Sequence, residues 1–254
     1  MWDKWEVHGK PDLKGASMII TLTTSMPQYL MLYSQGRELA EYLKNHLHVK
    51  HFATYYSDSM PPDCLIRSDG TAGLYSCEFH YFEGRTGKRI ILLSGESSPQ
   101  TEMYWFADRV LSFARDLGVK EMFSIGTRWT ESPTIEMKPQ VLGFGSDADA
   151  VDRLRRNGVR ILSDEQAPYF GSLVVGMSKL YGITGYKLSV NHGEPRPHPR
   201  SVKALLQVLF SLLDFMIDTT ELDQKARQMD ATIKEIGERI QQSTVSENGR
   251  SMYA

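Results

Sequence analysis

Cysteine is nearly missing from this sequence. Cys64 and Cys77 are the only two in 254 residues. Neither belongs to a metal-spaced pair, so no disulfide framework and no cysteine-held metal is expected. No apolar run approaches the roughly 20 residues of a membrane helix, and Met1-Trp2-Asp3-Lys4-Trp5-Glu6 lacks the apolar stretch of a signal peptide. Neither sign of charge dominates: 29 Lys and Arg stand against 31 Asp and Glu, a formal charge of -2. Such a balance sets up no field that would gather nucleic acid or anionic lipid. Nothing repeats at a fixed period, which excludes a solenoid. The expectation is a soluble, cytoplasmic protein with reduced thiols and neither a membrane nor a nucleic-acid partner.

Catalytic signatures are absent as well. There is no glycine-rich phosphate loop closing on Lys-Ser/Thr, no His-Glu-x-x-His helix and no Gly-x-Ser-x-Gly elbow. Gly143-Phe144-Gly145-Ser146-Asp147 begins like a dinucleotide loop, but Ala148 stands where the third glycine should be. A strand-to-helix turn capped by Ser146 or Asp147 is the better reading. His46, His48 and His51 cluster at a helix-to-strand junction and read as surface histidines, because metal binding needs all three to converge with a fourth ligand. No metal and no cofactor are expected.

What is present is an alternation of strand-like and helical runs. Met18 to Leu22, Val49 to Tyr56, Arg89 to Leu93, Met122 to Ile125, Gln140 to Phe144, Val159 to Leu162 and Gly185 to Val190 read as strands. Between them Gln28 to Leu47, Pro99 to Leu117, Asp147 to Asn157 and Ser172 to Leu180 read as helices, two of them closed by Gly118 and Gly158. The aromatic-rich stretch Gly73 to Phe82, with the Gly84-Arg85-Thr86-Gly87-Lys88 turn behind it, reads as an antiparallel excursion. This rhythm predicts an α/β fold: a single mixed, mostly parallel sheet with helices on both faces and a C-terminal helical extension. Residues 1–217 form the α/β domain, 218–240 an amphipathic helix and 241–254 a flexible tail.

The extension carries two candidate interaction features. A helix from Ser201 to Ile217 is apolar on most sides and must be buried. After it, Leu222, Ala226, Met229, Ile233, Ile236 and Ile240 recur at 4-3-4-3-4 spacing among polar residues. That narrow stripe is either an oligomer seam or an ordinary terminal helix packed on its own domain. The polar residues 241–251 cannot fold alone, and they lead to Met252-Tyr253-Ala254, an aromatic anchor beside a terminal carboxylate suited to a partner's pocket.

A third candidate is the rim where central strands end. Gly95, Glu96 and Ser97 follow one such strand, and Arg128 and Glu131 another, the place where open α/β sheets bind ligands. Glu96, Arg128 and Glu131 are of a type to hold a polar substrate, but no nucleophile-base pair can be read there.

Leu92-Leu93-Ser94-Gly95-Glu96-Ser97-Ser98-Pro99-Gln100, then Phe113-Ala114-Arg115-Asp116-Leu117-Gly118-Val119-Lys120-Glu121 and Ser124-Ile125-Gly126-Thr127, resemble the PAC2 family of proteasome-assembly chaperones and their archaeal homologues. The later order is similar too: Gly143-Phe144-Gly145, Gly158-Val159, Gly171, Gly182-Ile183-Thr184-Gly185, then a proline-rich loop into a helix near Ser201. The likeness runs through about 15–240. It departs at Thr23-Thr24-Ser25-Met26-Pro27-Gln28, where the family often has a glycine-rich loop. The resemblance implies a fold like that of purine nucleoside phosphorylases and related hydrolases used without their chemistry. It further implies homo-oligomers and a tail that docks between α-subunits of the 20S proteasome. Met252, Tyr253 and Ala254 match the hydrophobic-Tyr-any tail of such binders position by position.

Overall fold

The computed structural model describes residues 1–22, 34–129, 139–192, 198–232 and 235. In chain order its elements are β1 (Asp3–Val7), β2 (Ser17–Ile20), α1 (Gln35–His46), β3 (Lys50–Ser57), β4 (Cys64–Ile66) and β5 (Ala72–Leu74). There follow β6 (Cys77–Glu83), β7 (Arg89–Gly95), α2 (Met103–Asp116), β8 (Glu121–Trp129), β9 (Val141–Gly145) and α3 (Ala148–Arg156). The rest are β10 (Arg160–Ile161), α4 (Phe170–Ser178) with a 3-10 turn at Lys179–Tyr181, β11 (Thr184–His192) and α5 (Pro199–Leu212). Among the described residues nine strands form one sheet in the order β1-β3-β6-β7-β2-β8-β11-β9-β10, and β4-β5 form a separate hairpin.

The sheet is mixed, and the expected parallel majority is wrong. β7, β2, β8 and β11 form a parallel centre. The pairs β1–β3, β3–β6, β6–β7 and β11–β9 are antiparallel, and these ladders hold the larger share of the paired residues. One cause was legible: the tight turn at 84–88 leaves no room for a crossover, so β6 must return against β7. The other was not. β1 is an unpredicted edge strand that lies antiparallel on β3.

The central strands are apolar on both pleats because helices cover both faces. Met18, Ile20, Ile91, Leu93 and Met122 join Phe106, Val110, Phe170 and Val174 in one cluster under α2 and α4. Their neighbours Ile19, Leu92, Phe123 and Leu188 are also fully buried but lie outside that cluster, on the opposite pleat, where α1 packs with α5. Caps set the helix starts. Ser34 Oγ accepts from Arg37 N at 3.1 Å at the head of α1, and Asp147 accepts from Ala150 N at 2.9 Å at the head of α3. The stretch 143–147 is thus the predicted strand-to-helix turn.

Three helix boundaries differ from expectation by more than two residues. α1 begins at Gln35, behind the Ser34 cap, rather than at Gln28. α2 begins at Met103 rather than at Pro99, after a left-handed Glu102. α5 ends at Leu212 although the apolar pattern continues to Ile217. The 84–88 turn accounts for this: Arg85 N donates to Asp214 O at 2.8 Å, and Thr86 N donates to the Asp214 carboxylate. Phe215 then meets the Phe82 ring edge-on at 5.4 Å. Leu213 and Phe215 bury themselves outside the helix, whereas Met216 stays exposed.

Glu121, at the start of β8, ties several elements together. It accepts from Ser17 Oγ at 2.6 Å and from Lys88 Nζ at 2.9 Å, and it pairs with Arg153 of α3. Arg153 also donates to Tyr186 Oη at 3.0 Å and to Leu212 O at 2.6 Å. Burial pushes the Glu121 carboxyl up, but the bonds from Ser17, Arg153 and Lys88 outweigh it and hold the group below its ordinary 4.5.

The chain divides into two units, Met1–Ile217 and Asp218–Ala254. In the second, residues 220–232 are helical, entered through Asp218, which accepts from Thr220 N at 2.9 Å. Among the described residues, no helix is long and apolar enough to cross a membrane.

Candidate functional site

Among the described residues, two cavities that share no lining residue open along the rim at the C-terminal ends of the central strands. The smaller, about 90 Å³, is bounded by Thr21, Arg37, Lys44, Glu78, Ser94 and Glu96. Gly95 closes β7 beside it, where a Cβ would stand 2.5 Å from Ser76 O, so only glycine fits. Glu96 is exposed. Ser97 is buried, and its hydroxyl is spent on Ser98 O at 3.3 Å, which leaves it no role at the surface.

The larger cavity, about 480 Å³, opens over β8 and β11 beside the head of α4. Arg128 lines it and is held by Glu165 at 2.7 Å. Glu96 and Arg128 therefore do not converge on one ligand. Glu131 lies outside the described residues.

Three features of this cavity were not read from the sequence. Glu165, from the β10–α4 connection, supplies the partner of Arg128. Tyr169 precedes α4 at φ 72, a left-handed value that costs a residue with a Cβ about 1–3 kcal/mol, and its residue lines the cavity. Lys187, in the middle of β11, reaches the floor between β8 and α4, where Nζ lies 3.3 Å from Ser124 Oγ. Burial pushes the Lys187 amine down to about 8. The available signal was a lone charge inside the buried run Gly185-Tyr186-Lys187-Leu188-Ser189-Val190.

The seam falls partly within the described residues. Leu222 and Ala226 are buried and Met229 is half-buried, whereas Gln224, Lys225, Arg227 and Gln228 are exposed. The side chains of Ile233, Ile236 and Ile240 lie outside the described residues, as do Met252, Tyr253 and Ala254. The histidines are engaged locally: His46 Nδ1 lies 2.9 Å from Tyr42 O, and His51 Nε2 lies 3.0 Å from Thr54 Oγ1. Among the described residues, no group of three or more His, Cys, Asp and Glu is placed to hold a metal.

Comparison with known proteins follows the fold. The model of the PAC2 family matches residues 35–236. PbaB of Pyrococcus furiosus, described as an archaeal proteasome activator, superposes with a TM-score of 0.77 at 23% identity, over 92% of this chain and 98% of that one. PbaA of the same organism, described as an archaeal homolog of proteasome-assembly chaperone, gives 0.72 at 17% identity, over 98% and 99%. An uncharacterized protein of Methanocaldococcus jannaschii is 21% identical over 202 residues, 79% of this chain and 78% of that protein. At these identities the structural likeness establishes the shared fold.

Proposed function

The chain belongs to the PAC2 family, and from that premise we propose that it is a non-enzymatic proteasome-assembly chaperone or activator-like factor. It binds the α-ring of the 20S proteasome through Met252-Tyr253-Ala254. The observation that carries this reading is the coincidence of that hydrophobic-Tyr-any ending with membership of a family whose structural relatives include an archaeal proteasome activator. A fold like that of purine nucleoside phosphorylases is, in this reading, used without their chemistry. The setting is the cytoplasm.

Magnitudes explain why such a tail belongs on an oligomer. Burying one tyrosine-sized side chain yields roughly 1.5–3 kcal/mol, and a carboxylate-lysine pair at the surface adds about 0–1 kcal/mol. Ordering the tail costs part of that sum, so one tail binds near or weaker than ~1 mM. Several tails on one assembly reach useful avidity if their linkers span the docking sites. A chain as long as 241–251 spans at most roughly 35 Å when fully extended.

Both the ring and the free carboxylate are contacts in this scheme. Tyr253→Ala, or a residue appended after Ala254, therefore abolishes co-sedimentation with 20S α-rings while the fold is unchanged. Parent-like binding by both variants rules the tail out. The seam has its own test. Ile233→Glu with Ile236→Glu sets two charges in an apolar contact and lowers the mass seen by light scattering, with the 1–217 unit still folded. An unchanged mass removes the seam from the assembly.

A further inference from the structure

Lys187 is the one residue of the larger cavity whose charge has no counterpart among the described residues. It is only 8% exposed, and among the described residues its hydrogen bond goes to the neutral Ser124 Oγ. The other ammonium protons are left to the cavity. Two glycines shape the space around it: a Cβ on Gly126 would come within 2.7 Å of Nζ, and one on Gly171 within 2.8 Å. Both backbones close in on the amine, and any side chain there would push it aside.

The surroundings favour negative charge. Gly171 and Ser172, in the first turn of α4, line the cavity, and no side chain caps that helix. The positive dipole end of α4 thus lies at the same space. Arg128 is already matched by Glu165, so among the described residues that line the cavity one positive charge, at Lys187, is left over. Leu22, Phe144, Leu162 and Pro168 add apolar walls. A volume of about 480 Å³ lies within the range typical of small-molecule sites.

We propose that this cavity binds a small organic monocarboxylate, with the carboxylate on the Lys187 ammonium and the apolar body against Phe144 and Leu162. A single unmatched positive charge suits a monoanion better than a phosphate dianion, and apolar walls suit a carbon skeleton better than a free inorganic ion. The inference is independent of the tail.

Calorimetric titration of the full chain with acetate, hexanoate and phenylacetate, each beside its neutral amide, tests it. Affinity is expected to rise with the apolar body, and hexanoate and phenylacetate should each bind at least about tenfold more tightly than their amides, as one charge-assisted contact implies. Lys187→Met should erase the difference between acid and amide. The acid-amide comparison uses the unaltered chain, so it decides the matter even if that variant does not fold. The proposal is overturned if no acid outbinds its amide or if the difference survives in Lys187→Met. It is equally overturned if inorganic phosphate binds the unaltered chain more tightly than every carboxylate.

Discussion

Replacing Glu121 with glutamine lowers the melting temperature by roughly 6–12 °C, the shift that about 3 kcal/mol produces in a domain of this size. Glutamine keeps the shape and removes the charge. Arg153 and Lys88 then lose the carboxylate between them, and an amide stands where a buried acceptor of three donors stood. The figure is placed at the low end for a broken buried pair, because the Lys88 side chain is 42% exposed and that of Arg153 is 34% exposed. The pH dependence has a definite sign. The folded carboxyl titrates below its ordinary 4.5, so its contribution is fully present above that value and is lost as the pH falls through the folded value. The gap between parent and Glu121→Gln therefore narrows in acid. Equal melting at pH 7 would show that the cluster is not a structural anchor.

Lys187→Met shifts stability the other way, a gain of about 3 kcal/mol at pH 7 in the absence of ligand. Methionine keeps most of the volume and removes a charge that no described residue matches. The folded amine titrates near 8 and the unfolded one near 10.5. Below pH 8 both states hold the proton, and the folded state bears the full cost. Between those values the unfolded state binds more protons, so the parent gains stability as the pH rises. Denaturant midpoints of parent and variant should thus differ most at neutral pH and converge towards pH 10.5. Comparing the two chains cancels the tyrosines that titrate in the same range. A variant less stable than the parent at pH 7 would mean that Lys187 is already compensated.

The sequence disclosed the elements better than their directions. Arg89 to Leu93 could only be a buried strand, and the aromatic-rich stretch Gly73 to Phe82 marked an antiparallel partner, although its first two residues belong to β5. Hydrophobic period reports which face a residue takes and says nothing of which way the strand runs. Nothing in Val141–Gly145 therefore announced that β9 opposes β11. The end of α5 was hidden for a related reason: Leu213 and Phe215 are buried equally well outside the helix. At the rim, the strand-end rule pointed to the end of the sheet where both cavities open, and it named Arg128, which lines the larger one. It could not show that Glu96 faces a different cavity. Lys187 was visible as a charge in an apolar run, but the run alone did not say that the sheet leaves a space above it. Glu165 and Tyr169 come from a connection with no regular period.

The place of β2 in the sheet bears on how the protein is made. Its residues Ser17–Ile20 are paired on one side with Ile90–Leu93 and on the other with Glu121–Ser124. The first strand of the central group thus waits for both neighbours, β7 leaving the ribosome about 4–15 s later and β8 about 5–20 s later at ordinary synthesis rates. Throughout that interval a segment destined for complete burial stays open to solvent and to other nascent chains. The second edge of β2 cannot be paired until β8 has emerged, about a hundred residues after β2 itself.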